Sequence, residues 1–131
     1  MRAIPSVLLR RSLILDAVVS GVTGLLLVAG ATRLAGLLGL PEALLRWAGA
    51  SLLPFAAFLA CLGTRALTPR PAVRAVVAYN ALWAIDSVLI LALGWVTPTP
   101  LGIAVVAVQA AAVAALAGAQ YVGMRGSPAK P

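Results

Sequence analysis

Histidine is absent from the 131 residues, cysteine occurs once, at Cys61, and the two methionines are Met1 and Met124. Haem sites and most zinc or copper sites draw on His, Cys or Met ligands, so neither a metal nor a metallo-cofactor is expected. A disulfide within the chain is impossible, and Cys61, near the end of an apolar run, reads as a small buried hydrophobe. A Ser-His-Asp arrangement cannot be built without histidine. No glycine-rich phosphate loop occurs, since the glycines stand singly in apolar runs or at turns. The chain is not expected to be an enzyme or to hold a cofactor.

Acidic residues are nearly as scarce. Asp16, Glu42 and Asp86 are the only three, against ten Lys and Arg, giving a net charge of +7. In a soluble protein that balance would suggest nucleic acid. Here only 10% of residues are charged and mean hydropathy is +1.07. The basic residues also mark the ends of apolar runs, so no nucleic-acid partner is expected.

What is abundant is apolar sequence. Four blocks, Leu13–Ala31, Ala43–Leu62, Val73–Gly94 and Leu101–Val122, account for most of the chain. Each is close to the ~20 residues a helix needs to cross a hydrocarbon core. The expected fold is all-α: a polytopic membrane protein, a four-transmembrane-helix bundle with short loops, forming one domain over residues 1–131. No internal repeat is evident. The first block follows basic residues and ends in Ala29-Gly30-Ala31, as a signal peptide would, but it is long and carries Asp16, so a retained first helix is expected.

Four spans put both termini on one side. That side carries Arg2, Arg10, Arg11, Arg65, Arg70, Arg74, Arg125 and Lys130, whereas the other carries Arg33 and Arg46. Basic loops stay in the cytoplasm, so the expected location is the cell (inner) membrane, multi-pass, with both termini cytoplasmic. Pro5 and Ser6 suit a helix opening at Val7, and Pro41-Glu42 suits the start of the second helix. Thr32–Leu40 reads as a connection. Pro54 predicts a kink near Ala50–Pro54. Pro69 and Pro71 interrupt the chain before the third helix, which is expected to end at Gly94-Trp95. The stiff Thr97-Pro98-Thr99-Pro100 turn predicts an antiparallel hairpin of helices three and four. The polar tail, Gly126–Pro131, is expected to fray.

Chemistry has few places to reside. Asp86 lies 12 positions beyond Arg74 and 8 before Gly94, which is about 18 Å and about 12 Å from the helix ends at 1.5 Å per residue. A charge at such depth is costly, and an acid placed there is a functional candidate by default. At about 100° per residue, Tyr79, Asn80, Trp83, Asp86 and Ser87 share an arc of about 120°. This polar face should point inward, and the opposite aliphatic face toward lipid. Ser12, Asp16, Ser20 and Thr23 form a narrower polar stripe on helix one. Asp16 admits two readings: a shallow carboxylate paired with Arg70 or Arg74, or a partner in the polar site. Asp86, Asn80, Trp83, Ser87, Asp16 and Gln109 are thus the candidate site.

Helix four is rich in alanine. Ala107, Ala111, Ala115 and Ala119 form one small ridge, and Ala110, Ala114 and Gly118 form the next. Such ridges let backbones approach closely, so a helix-packing role is expected for them, with helix one, a second copy or another protein as partner. Gln109 and Gln120 project from nearly the opposite side. Gln120 reads as an interfacial residue.

Two functional classes follow. The first is an accessory or scaffolding subunit of a membrane assembly, docking through its small-residue faces to other membrane subunits or to a second copy of itself. The second is a small oligomeric transporter or channel using Asp86, and with it Asp16, for protons or cations.

Overall fold

The computed structural model describes residues 3–4, 7–64, 68–94 and 96–126. It is a bundle of four α-helices: α1 (Val7–Leu38), α2 (Glu42–Gly63), α3 (Arg70–Ala92) and α4 (Pro100–Gly126). All four are long and apolar enough to cross a membrane. A two-residue antiparallel pairing of β1 (Ala3–Ile4) with β2 (Thr68–Pro69) ties the start of the chain to the α2–α3 connection. Pro5, Ser6, Trp95 and residues 127–131 lie outside the described residues, and with them the expectation for the tail; α1 opens at Val7 as expected, and α3 ends at Ala92, two residues short of Gly94.

The helices exceed their apolar blocks because charge ends hydrophobicity without ending a helix. Arg10, Arg11 and Arg33 are good helix formers, and α1 runs through all three for 32 residues. The stretch read as a connection, Thr32–Leu40, is therefore helical as far as Leu38. It stops at Gly39, whose φ of +69° is a left-handed conformation that costs glycine nothing. Gly94, also at φ +69°, follows the end of α3 in the same way. Pro41 caps α2 with Glu42 in its first turn, and Pro71 sits in the first turn of α3. α2 continues helical through Pro54.

The long end of α1 is held by α4. Thr99 donates its backbone N–H to the Leu38 carbonyl at 3.0 Å and its hydroxyl to the Leu37 carbonyl at 2.7 Å. The same hydroxyl accepts the Gly102 N–H at 3.0 Å. One threonine thus caps the start of α4 and satisfies two carbonyls at the α1 terminus that would otherwise have no helical partner.

Packing divides the bundle into two hairpins, α1–α2 and α3–α4, joined most closely where α1 meets α4. Within the first hairpin the backbones nearly touch: a Cβ added to Gly49 would meet the Gly24 carbonyl oxygen at 2.8 Å. α2 and α3 meet through side chains instead. Phe55 stacks on Tyr79 with ring centroids 3.9 Å apart, Tyr79 lies 6.1 Å from Trp83, and Ser51 Oγ and Tyr79 OH share a 2.6 Å hydrogen bond. The main core gathers Leu9, Leu13, Leu52, Phe55, Leu59 and Leu62 with Val73, Val76 and Met124. Cys61, expected to be buried, is exposed, because α2 turns Leu59, Leu62 and Gly63 inward.

The alanine ridges take the outer side of α4. Ala107, Ala111, Ala115, Ala114 and Gly118 are exposed, Ala119 is half-buried, and Ala110 alone of the two ridges is buried. A helix buries one face, and here the glutamine face won: Gln120, Leu116, Ala117, Gly123 and Met124 point inward. Helix one is therefore not the partner of the ridges; Ala107, Ala110, Ala111 and Ala114 instead line a shallow groove with Ala84, Val88 and Leu91 of α3, which leaves most of the ridge surface uncovered.

Candidate functional site

The inward polar residues form a closed network near the end of the bundle that carries most of the basic residues. Arg11 precedes Asp16 by five residues, Arg74 precedes Asn80 by six, and Arg125 follows Gln120 by five. Three helices thus place one polar residue each at a common depth, about 8 Å inside the basic rim. Asp16 and Ser20, one turn apart on α1, are buried among Asn80 of α3 and Gln120 of α4, with Asp16 only 1% and Gln120 0% exposed.

The geometry of this network is that of an acceptor surrounded by donors. Asp16 Oδ2 accepts from Asn80 Nδ2 at 2.7 Å and from Gln120 Nε2 at 2.7 Å. Asp16 Oδ1 accepts from Ser20 Oγ at 2.9 Å. Asn80 Nδ2 also donates to Gln120 Oε1 at 3.0 Å, which closes a ring across three helices. Interhelical bonds of this kind hold apolar helices in register. The pairing of Asp16 with Arg70 or Arg74 is not formed. Arg70 instead donates to the Met124 carbonyl at 3.4 Å, and the Asp16 carboxylate is taken up by Ser20, Asn80 and Gln120.

The second acid behaves differently. Asp86 is seven residues beyond Tyr79 and six beyond Asn80, so it stands about 20° from Tyr79 and about 120° from Asn80 around α3. Tyr79 points to α2, and Asp86 therefore lies on the α2 flank rather than at the bundle axis. It is exposed and, among the described residues, makes no hydrogen bond or ion pair. Of the three acids, Glu42 pairs with Arg46 at 2.9 Å and Asp16 has its three donors.

Asp86 opens on a cavity of about 280 Å³ to which all four helices contribute: Thr23 and Leu27 from α1, Leu45 and Ala48 from α2, Trp83 and Ser87 from α3, Val106 and Gln109 from α4. Ser87 donates to the Trp83 carbonyl at 2.8 Å and reaches Gln109 Oε1 at 3.5 Å. The Trp83 indole N–H is buried with no acceptor among the described residues. A neighbouring cleft of about 430 Å³ between α1 and α4 is lined by Asp16, Ser20, Thr23 and Gln109. Thr23, Val105 and Gln109 line both spaces, so a discontinuous polar path runs from Asp16 past Ser20, Thr23 and Gln109 to Ser87 and Asp86.

All six candidate residues therefore line one of these spaces or join the network, but they divide into two sites. Asn80 and Asp16 form the closed network. Asp86, Trp83, Ser87 and Gln109 form the open one. Gln120, absent from the candidates, is the most buried member of the network. Its signal was present: it shares a helix face with Gln109. Comparison with family models, curated proteins and solved structures finds no match to this chain.

Proposed function

We propose that the chain is a small multi-pass protein of the cell membrane, with both termini cytoplasmic, that handles protons or cations at Asp86. One observation carries the reading: Asp86 is an acid on an apolar helix with no partner among the described residues, and it opens on a cavity to which four helices contribute. A carboxylate kept at such depth without a structural bond is costly, and its cost is explained if a cation meets it there. The closed network of Asp16, Ser20, Asn80 and Gln120 is then the scaffold that fixes α1, α3 and α4, and the shared wall at Thr23 and Gln109 is the link between the two spaces.

The test is proton- or cation-coupled flux in proteoliposomes, wild type against Asp86→Asn. The amide keeps the shape and removes the acidic, cation-attracting group. Abolished flux with intact helicity supports the reading. Flux that survives unchanged removes Asp86 from the mechanism.

The uncovered ridge of Ala107, Ala111 and Ala115 favours a second reading, an accessory or scaffolding subunit. A smooth small-residue face gains dispersion contact from a closely packed helix of another subunit or a second copy. Co-purification of a stoichiometric partner from mild detergent, lost in Ala111→Leu, would favour it. The two readings are compatible if copies of the chain share a pathway.

A further inference from the structure

The cavity at Asp86 has a composition that narrows its occupant. Its wall is overwhelmingly apolar, with Leu27, Leu38, Leu40, Leu44, Leu45 and Ile90 the bulk of it. Against these stand one carboxylate, the Ser87 and Thr23 hydroxyls, and the Gln109 amide, whose oxygen already faces Ser87. A bare metal cation requires a shell of some six or more oxygen ligands, and one carboxylate with this company does not supply it. A proton alone would need no cavity. A small organic cation is matched on both counts: its charge meets Asp86, and its hydrocarbon body meets the leucines.

Size and access agree. About 280 Å³ lies just below the ~300–1,000 Å³ range of drug-sized ligand pockets, which suits a small ligand. An α-helix is about 10 Å across, too wide for a space of this volume lined by residues of all four helices. The unpartnered carboxylate is thus better matched to a small ligand than to a helix of another subunit. Trp83 adds an indole to the wall, a group type that attracts cations to its ring face and that reports on what lies beside it. Its unpaired N–H is a second sign that the space is chemically incomplete as it stands.

We infer that the Asp86 cavity binds a small lipophilic monocation, of the alkyl- or arylammonium class, with Asp86 as the counter-charge and the Leu27, Leu45 and Ile90 wall as the apolar seat. This rests on the reading of Asp86 as a cation site and specifies the kind of cation.

The experiment uses the full chain with Trp47→Phe and Trp95→Phe, so that Trp83 is the one remaining tryptophan, in nanodiscs of neutral phosphatidylcholine. The probe is benzyltrimethylammonium, and the control is neopentylbenzene, its uncharged isostere of the same shape. The expected result is a saturable change in Trp83 fluorescence with the cation and binding weaker by about tenfold or more for the neutral isostere, the consequence of losing one charge pair in an apolar site. Asp86→Asn should weaken the cation by a similar factor and leave the isostere unaffected. Ala48→Phe, which fills the cavity from α2, should abolish both while helicity is retained. Equal binding of cation and isostere would overturn the inference, since the cavity would then be an apolar void. No saturable response to benzyltrimethylammonium would overturn it too. If Asp86-dependent proton or alkali-cation flux persisted in that case, the ligand class alone would fall and the cation reading would stand.

Discussion

Replacing Asn80 by alanine should unlock the bundle, and the size of the effect can be worked from the network. The substitution removes two hydrogen bonds, to Asp16 Oδ2 and to Gln120 Oε1. Interhelical bonds between apolar helices contribute about 0.6 kcal/mol on average and reach about 1.7, so two of them amount to roughly 1.2–3.4 kcal/mol. That is roughly an 8- to 300-fold shift in the folding equilibrium. Asp86→Ala has no bond to lose, and its effect should stay within about 0.5 kcal/mol. Asp16→Asn should also be mild: its amide oxygen can accept from Asn80 and Gln120, and its amide nitrogen can donate to Ser20 Oγ. The assay is reversible unfolding in mixed micelles, followed by helicity as the mole fraction of dodecyl sulfate rises. Combining Asn80→Ala with Gln120→Ala should cost less than the sum of the two, because the residues share a bond. If Asn80→Ala unfolds at the same midpoint as Asp86→Ala, the ring does not hold the helices together and the reasoning fails.

Other outcomes follow from charge and packing. Eight basic residues against two should impose one orientation, so reporters at Pro128 and within the Thr97–Thr99 turn should lie on opposite sides, with Pro128 cytoplasmic; mixed orientations would contradict the charge argument. Ala117→Leu, on the buried side of α4, should destabilise the bundle by about 1–3 kcal/mol, whereas Ala111→Leu, on the exposed side, should leave its unfolding midpoint unchanged. Gly49→Ala drives a methyl into the Gly24 carbonyl and the Leu27 side chain and should cost a similar ~1–3 kcal/mol. Gly36→Ala, with nothing within 4 Å of the new carbon, should be neutral or stabilise by up to about 1 kcal/mol. A thermal-shift comparison of the four variants reads all of these.

The four helices were legible because hydrophobic length needs no tertiary information. The extent of α1 was not, since Arg10, Arg11 and Arg33 end the apolar stretch and continue the helix. The polar stripe of α1 and the shallow depth of Asp16 are legible in the sequence, but the partners of Asp16 are not, since they lie 64 and 104 positions away. On α3 the arc of polar residues was real, yet its two edges do different work: Asn80 reaches the axis and Asp86 the α2 flank. Periodicity gives angles around one helix. It does not say where the neighbouring helices stand, and that alone separates a satisfied acid from an open one. The alanine ridges and the glutamines of α4 were seen as opposite faces. Which of them would be buried depended on what α1 and α3 offered, and they offered a carboxylate and an amide.

The network has a further consequence for how such a chain is made. Its members are split between the two hairpins, with Asp16 and Ser20 in the first and Asn80 and Gln120 in the second. A ribosome delivers the first hairpin before the second exists. Until α3 and α4 arrive, Asp16 has only Ser20 to bond, and the half-finished product carries a nearly bare carboxylate within its apolar surface. The first hairpin is thus poorly suited to persist by itself, and in the second Asn80 and Gln120 have only each other to bond. Each half completes the other, so a truncated or stalled chain is marked as unfinished by the same four side chains that lock the finished one.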